Sequence, residues 1–206
     1  KEIAKAAKIK TYIALNTIIF PEQVEEMRSV LQACFDAGVD AVICWDFSVV
    51  QMAKEIGLEV HLSTQASVAN VESAKFYKNL GIERVVLARE CDLEQVKKIK
   101  EEAGVEIEVF VHGAMCVSIS GRCFMSQFST GHSANCGECR QPCRRNYMIK
   151  DVEGEYEFEV GQNYVLSPKD LCALPFIDEL MEADIDCFKI EGRNKSAEYV
   201  KMVTSV

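Results

Sequence analysis

The sequence lacks the features that mark several large classes of protein. No stretch comes near the roughly 18 uninterrupted apolar residues that a membrane-spanning helix requires, and the N-terminal segment KEIAKAAKIK is too charged for the core of a signal peptide. We therefore expect a cytoplasmic protein without a membrane span. The GxGxxG, HExxH and GxSxG patterns are also absent, which argues against a dinucleotide-binding sheet, a zinc protease of that type and a serine hydrolase.

Positive charge is scarce overall but locally concentrated. The 206 residues carry 23 Lys and Arg against 32 Asp and Glu, a net charge of −9, which argues against a uniformly basic nucleic-acid-binding surface. Residues 113–150 nevertheless hold five basic residues and one acidic residue. This loop either pairs with the acidic segment Asp151–Val160 or faces phosphate groups, with Phe128 and Tyr147 available to stack on bases.

The first half of the chain repeats one unit, in which a short apolar strand, a turn and an amphipathic helix follow one another. This rhythm predicts an α/β protein with a parallel sheet. The predicted strands are Thr11–Asn16, Asp40–Trp45, Glu59–Ser63, Arg84–Ala88, Glu106–Val111 and Asp186–Ile190. The predicted helices are Pro21–Ala37, Phe47–Ile56, Val71–Leu80, Leu93–Ala103, Leu171–Ala183 and one that begins at Ser196.

A doubly wound sheet and a (β/α)8 TIM-type barrel both fit this rhythm, and the polar residues that follow five strands favour the barrel, because barrel enzymes build their active sites there. Six strands are fewer than eight, so we expect an incomplete barrel. The chain divides at the sequence level into barrel units in residues 1–112, a Cys-rich and basic insertion with an acidic hairpin in 113–166, and a last strand with a truncated helix in 167–206, all within one domain.

Ten cysteines are several times ordinary usage, and in a reducing cytosol such an excess indicates metal or redox chemistry. Cys34, Cys44 and Cys187 lie in apolar patterns and are best explained as small core residues. The remaining clustered thiols suit a soft metal, either zinc or the irons of a [4Fe–4S] cluster. Their uneven spacing favours the cluster over zinc. These thiols are Cys116, Cys123, Cys136, Cys139, Cys143 and Cys172.

The segment EVFVHGAMCVSISGRCFMS, residues 108–126, resembles the signature of peptidase family U32, the collagenase-like proteases. The resemblance continues through TGHSANCGECRQPCRRNY, SPKDLC and FKIEGRNKSAEYV, and upstream through HLSTQASVAN and RVVLARE. It therefore covers most of the chain. The resemblance implies a (β/α)8 barrel, and relative to the family pattern this sequence lacks the first two strands.

Several branches of that family resemble oxygen-independent hydroxylation enzymes with a [4Fe–4S] cluster. They act on a tRNA uridine, an rRNA cytidine or a ubiquinone precursor, and the RNA branches use prephenate. Carried over to this sequence, the resemblance implies an iron–sulfur RNA hydroxylase with RNA and a small carboxylate as partners. The implied cluster ligands are Cys116, Cys123, Cys139 and Cys172, with Cys143 as the rival for one place.

Two other functions stay open. One is a metal- or Cys-dependent peptidase, in which Cys116 would pair with His112, or Glu90 or Glu191 would activate a zinc-bound water. The other is a subunit of a heteromeric ubiquinone-hydroxylation complex or another partner assembly. For the hydroxylase, we expect proton transfer by His112 and Glu90. The expected substrate-binding residues at the barrel mouth and in the basic loop are His61, Gln65, Arg89, Arg122, Arg144, Arg145 and Arg193.

Overall fold

The computed structural model describes residues 2–160, 165–166 and 168–205. The chain forms two compact units, described separately below. The first comprises Lys1–Val109 and Leu180–Cys187, and the second comprises Phe110–Glu179 and Phe188–Val206.

The elements alternate along the first half of the chain as the sequence predicts. The helices are α1 (Glu2–Ala6), α2 (Val24–Asp36), α3 (Phe47–Ile56), α4 (Val71–Asn79), α5 (Leu93–Ala103), α6 (Met125–Thr130), α7 (Ile177–Glu182) and α8 (Ala197–Thr204). The strands are β1 (Tyr12–Ala14), β2 (Ala41–Cys44), β3 (Glu59–Leu62), β4 (Arg84–Val86), β5 (Glu106–Gly113), β6 (Tyr147–Lys150), β7 (Glu157–Val160), β8 (Leu171–Cys172) and β9 (Cys187–Ile190).

Local capping residues fix the helix ends. The Asp46 side chain accepts a hydrogen bond at the start of α3, and Gly57 ends that helix with φ 91°. At α5, Asp92 and Gln95 form a reciprocal capping box, and Gly104 ends the helix with φ 65°. Side-chain acceptors satisfy the free N–H groups of a first turn, and glycine adopts the left-handed conformation without the penalty of a Cβ.

In the first unit, β1 to β4 and the beginning of β5 pair in sequence order, and all of these pairs are parallel. Because side chains alternate along a strand, one face of the sheet is formed by buried aliphatic residues. The buried aliphatic set includes Val42, Val60, Leu62, Val85 and Ile107. This arrangement confirms the α/β class.

In the second unit, the end of β5 pairs with β9 and, antiparallel, with β8, in a register that places His112 opposite Cys172. Strands β6 and β7 form a separate antiparallel hairpin. The acidic segment Asp151–Val160, predicted to form a hairpin, therefore supplies only strand β7 of the hairpin. The other strand, β6, precedes the acidic segment.

The predicted helix Leu171–Ala183 is wrong in its first part. Leu171 and Cys172 form strand β8, and the backbone N–H of Ala173 donates to the carbonyl of Val111 at 2.8 Å. Pro175 lacks an amide hydrogen and disfavours helix at the residue before it. The α-helix consequently begins only at Ile177. In the part of the chain that the structure describes, no helix has the length and apolar content needed to cross a membrane.

Candidate metal centre and polar sites

The clustered cysteines lie in the second unit, mostly in the loop region between β5 and β6. Backbone turns and the short helix α6 bring distant parts of this loop together. Cys136 and Cys172 are exposed. The side chains of the other four are partly buried, namely Cys116, Cys123, Cys139 and Cys143.

The Cys143 thiol interacts electrostatically with the other three. Burial raises the pKa of Cys143, the Arg144 guanidinium lowers it, and the thiols of Cys116, Cys139 and Cys123 raise it further. These three thiols therefore lie near that of Cys143, although within the described ranges no three His, Cys, Asp or Glu side chains adopt a geometry ready to hold a metal ion.

Backbone amides point at two of the sulfurs. The N–H of Ser118 donates to the Cys116 sulfur at 3.4 Å, and the N–H of Met125, the first residue of α6, donates to the Cys123 sulfur at 3.3 Å. Such donors stabilise a thiolate, and hydrogen bonds to sulfur tune iron–sulfur centres. Soft thiolate ligands suit iron–sulfur iron or zinc. The residues present thus fit a [4Fe–4S] cluster in their chemistry.

His112 and Glu191, two predicted catalytic residues, are joined through the backbone. The N–H of Glu191 donates to the carbonyl of His112 at 2.9 Å, and the His112 ring lies 5.9 Å from the ring of Tyr199. The next residue, Gly113, has φ 109°, and a Cβ on it would lie 2.4 Å from the Glu191 carbonyl oxygen. Only glycine permits this close approach of the two segments.

The basic residues of the loop have different surroundings. Arg144 donates to Asp170 at 2.7 Å and to the carbonyl of Met115 at 2.9 Å. Arg122 and Arg145 are exposed, as is Arg193, whose backbone N–H donates to the Glu191 carboxylate. Of the two aromatic residues predicted to stack on bases, Phe128 is 95% exposed and Tyr147 donates its hydroxyl to the Pro142 carbonyl.

In the first unit, polar groups from three strand ends form one hydrogen-bonded cluster. Asn16 donates to Gln65 at 3.3 Å and to Ser63 at 3.4 Å, and Trp45 donates to the Asn16 carbonyl at 3.0 Å. The predicted residue Gln65 thus belongs to a polar cluster beyond β1, β2 and β3. Arg89 and Glu90 follow β4, and Glu90 is exposed.

His61 lies inside β3 and is fully buried, not beyond the strand end. Its Nε2 lies 2.8 Å from Glu59, and it pairs in register with Arg84. Arg84 donates to Glu106 at 2.7 Å and lies 3.6 Å from the buried carboxylate of Glu108. The sheet therefore carries a charged network that is not among the features predicted from the sequence. The alternation of charged and apolar residues in EIEVF was the available signal.

Of the three cysteines predicted to be core residues, Cys44 is fully buried, and burial raises its pKa to about 12. Cys34 and Cys187 are only partly buried. A thiol with so high a pKa as that of Cys44 is inert at neutral pH, so this residue plays a packing role.

Comparison with known proteins decides the family. The family model for peptidase family U32 matches residues 1–206. The chain belongs to this family. It is 45% identical over 204 residues to a protein of Methanocaldococcus jannaschii named uncharacterized protease MJ0090, covering 96% of this chain and 50% of that protein. It is 38% identical over 211 residues to tRNA hydroxylation protein P1 of Bacillus subtilis, covering 100% of this chain and 50% of that protein.

This U32 chain thus spans about half the length of the relatives it matches. The solved structure of the U32 peptidase Mk0906 matches with a TM-score of 0.58 and 19% identity, covering 95% of this chain and 74% of that one. The likeness shows a shared fold and is consistent with an incomplete TIM-type barrel.

Proposed function

We propose that this U32 chain is the cluster-binding part of an oxygen-independent RNA hydroxylase. The observation that carries the proposal is the proximity of Cys116, Cys123, Cys139 and Cys143, together with the backbone N–H groups directed at two of these sulfurs. Thiols gathered in this way would oxidise in air unless a metal held them.

The proposed cofactor is a [4Fe–4S] cluster, and zinc is the alternative. Cys116, Cys123 and Cys139 supply three ligands, and either Cys143 or Cys172 supplies the fourth. The electrostatic contacts of Cys143 support that residue, whereas the family resemblance supports Cys172. When bound, the cluster supplies the electron-transfer or oxygen-transfer chemistry that side chains alone lack.

The protein's own residues bind the substrate and move protons. His112 sits on β5 opposite Cys172, which places an imidazole beside the cysteine-bearing strand β8. We assign proton transfer to His112. Exposed Arg122 and Arg145 supply positive charge, and exposed Phe128 supplies a stacking surface, for RNA.

The substrate is proposed to be a tRNA uridine or an rRNA cytidine. The 38% identity to a tRNA hydroxylation protein supports an RNA substrate of this kind. Prephenate, or another small carboxylate, is the proposed co-substrate, and an arginine such as Arg193 is suited to bind its carboxylate groups.

The test is anaerobic purification followed by iron, sulfide and zinc analysis and a visible absorption spectrum. The proposal predicts about four irons and four sulfides per chain, and a broad absorption that bleaches on reduction. Nucleoside mass spectrometry of RNA from cells with and without the gene must then show loss of a uridine or cytidine that is one oxygen atom heavier. If the protein binds iron but the RNA is unchanged, the RNA substrate is refuted. The favoured function is then that of a subunit in a complex that hydroxylates a ubiquinone-type ring.

A peptidase is the second candidate, because a relative 45% identical is named a protease. In this reading zinc occupies the cysteine site, or Cys116 acts as a nucleophile with His112. Zinc without iron, together with cleavage of a labelled collagen peptide that is lost on Cys116→Ser, would establish it and overturn the hydroxylase.

A further inference from the structure

Arg144 lies at the centre of a set of contacts around the cysteine loop. Its side chain is only 12% exposed, and that of its partner Asp170 is 26% exposed. One guanidinium nitrogen donates to Asp170 at 2.7 Å, and another donates to the carbonyl of Met115 at 2.9 Å. A guanidinium that donates from two nitrogens to two different acceptors fixes the position of both partners.

The partners of Arg144 stand beside cysteines in three separate segments. Met115 directly precedes Cys116, Arg144 directly follows Cys143, and Asp170 lies two residues before Cys172. One side chain therefore ties together three parts of the chain that are far apart in sequence.

Asp170 has a second cationic partner. Lys195 donates to its other carboxylate oxygen at 2.9 Å and lies 5.0 Å from the centre of the Tyr199 ring. The two carboxylate oxygens of Asp170 therefore hold the Arg144 guanidinium and the Lys195 ammonium in place.

A separate hydrogen bond, from a backbone N–H group to a hydroxyl, links the segments of the remaining cysteines. The buried hydroxyl of Ser126 accepts from the backbone N–H of Arg140 at 3.0 Å. Ser126 lies three residues after Cys123, and Arg140 directly follows Cys139. Hydrogen bonds thus link the segments of the proposed ligands in two sets, one with Cys116, Cys143 and Cys172 and the other with Cys123 and Cys139.

We propose that Arg144 and Asp170 are positioning residues, which hold the cysteine-bearing segments in the arrangement that binds the metal centre. This inference rests on the proposed function and gives Arg144 a task other than contacting RNA phosphates. Outer hydrogen-bond partners of metal ligands are commonly worth about 10–100-fold in metal affinity.

The experiment compares Arg144→Met with Arg145→Met, which removes the same charge from the neighbouring, exposed position. Both proteins are purified anaerobically and challenged with excess EDTA, and loss of visible absorption is timed. We expect the centre to be lost about tenfold faster in Arg144→Met than in wild type, and at the wild-type rate in Arg145→Met. Far-UV circular dichroism checks that both variants are folded.

Two further variants separate positioning from a general loss of structure. Arg144→Lys keeps a cation that reaches Asp170 but cannot reach the Met115 carbonyl as well. This variant should therefore lose the metal centre more slowly than Arg144→Met and faster than wild type. Asp170→Asn should shorten the lifetime of the centre, and the double variant with Arg144→Met should be no worse than Arg144→Met alone, because the two residues act as one unit.

Equal retention in Arg144→Met and Arg145→Met would overturn the inference and leave the proposed cluster intact. If the wild-type protein takes up no iron or zinc, the proposed function fails. The positioning role of Arg144 is then tested without a metal, by the reactivity of the thiols. N-ethylmaleimide labelling resolved by peptide mass spectrometry should then be faster at Cys116 in Arg144→Met, with exposed Cys136 unchanged. Unchanged labelling at both residues would refute the positioning role.

Discussion

Replacing Arg84 by methionine should destabilise the first unit strongly, because it removes a buried cation that faces the buried carboxylate of Glu108. The Arg84 side chain is 9% exposed and donates through two nitrogens to Glu106 at 2.9 and 2.7 Å. Its third nitrogen lies 3.6 Å from Glu108, whose side chain is 3% exposed. Breaking a buried pair by removing one partner costs about 3–5 kcal/mol, a large share of the about 5–15 kcal/mol that stabilises a typical domain.

Urea unfolding monitored by circular dichroism measures this loss as a lower midpoint with an unchanged slope. Arg28→Met is the matched control, because the Arg28–Glu55 pair lies 3.1 Å apart with both side chains nearly half exposed. Such surface pairs are worth about 0–1 kcal/mol. Adding Glu108→Gln to Arg84→Met should restore part of the stability. A loss in Arg84→Met within about 1 kcal/mol of the Arg28→Met loss would refute the reasoning.

Two further predictions concern the metal centre and pH. Serine at Cys116, Cys123 or Cys139 should abolish iron loading. Of Cys143→Ser and Cys172→Ser, only one should abolish it, since four ligands complete the cluster. Loss of iron in both of these variants or in neither, measured by iron analysis, would contradict the proposed ligand set. Burial lowers the pKa of His61 below its ordinary value of 6.5, so the unfolded chain binds that proton more readily. Stability from His61 is therefore present above about pH 6.5 and is lost as the pH falls through the lowered pKa. The decline in urea midpoint below pH 6.5 should be shallower in His61→Asn.

The elements that follow from local interactions could be predicted from the sequence. The bounds of α3 and α5 agree with the predicted helices Phe47–Ile56 and Leu93–Ala103. Asp46 and Asp92 cap their starts, and glycines end both, so neighbouring residues alone determine these helices.

Elements that depend on distant partners could not be predicted. Strand β8 exists because Leu171 and Cys172 pair with the end of β5, about sixty residues earlier in the chain, and such a short strand has no periodicity of its own. The pairing of Asp170 with Arg144 and Lys195 likewise has no local signal, because 26 and 25 residues separate the partners. The composition of the cysteine loop predicts a metal centre, but it gives no information about the contacts that arrange the thiols.

These contacts also limit how the basic loop can bind RNA. Arg144 is paired with Asp170, and Lys150 is paired with Glu157 at 2.7 Å. A phosphate-binding surface in this loop would therefore be built from its exposed arginines, which are Arg122, Arg140 and Arg145. Each phosphate contact to a single strand contributes about −0.7 to the slope of log affinity against log salt concentration, so three contacts give a slope near −2. A measured slope much steeper than this would place the main RNA contacts outside the loop, whereas a slope of this size that falls when the three arginines are replaced together would assign binding to them.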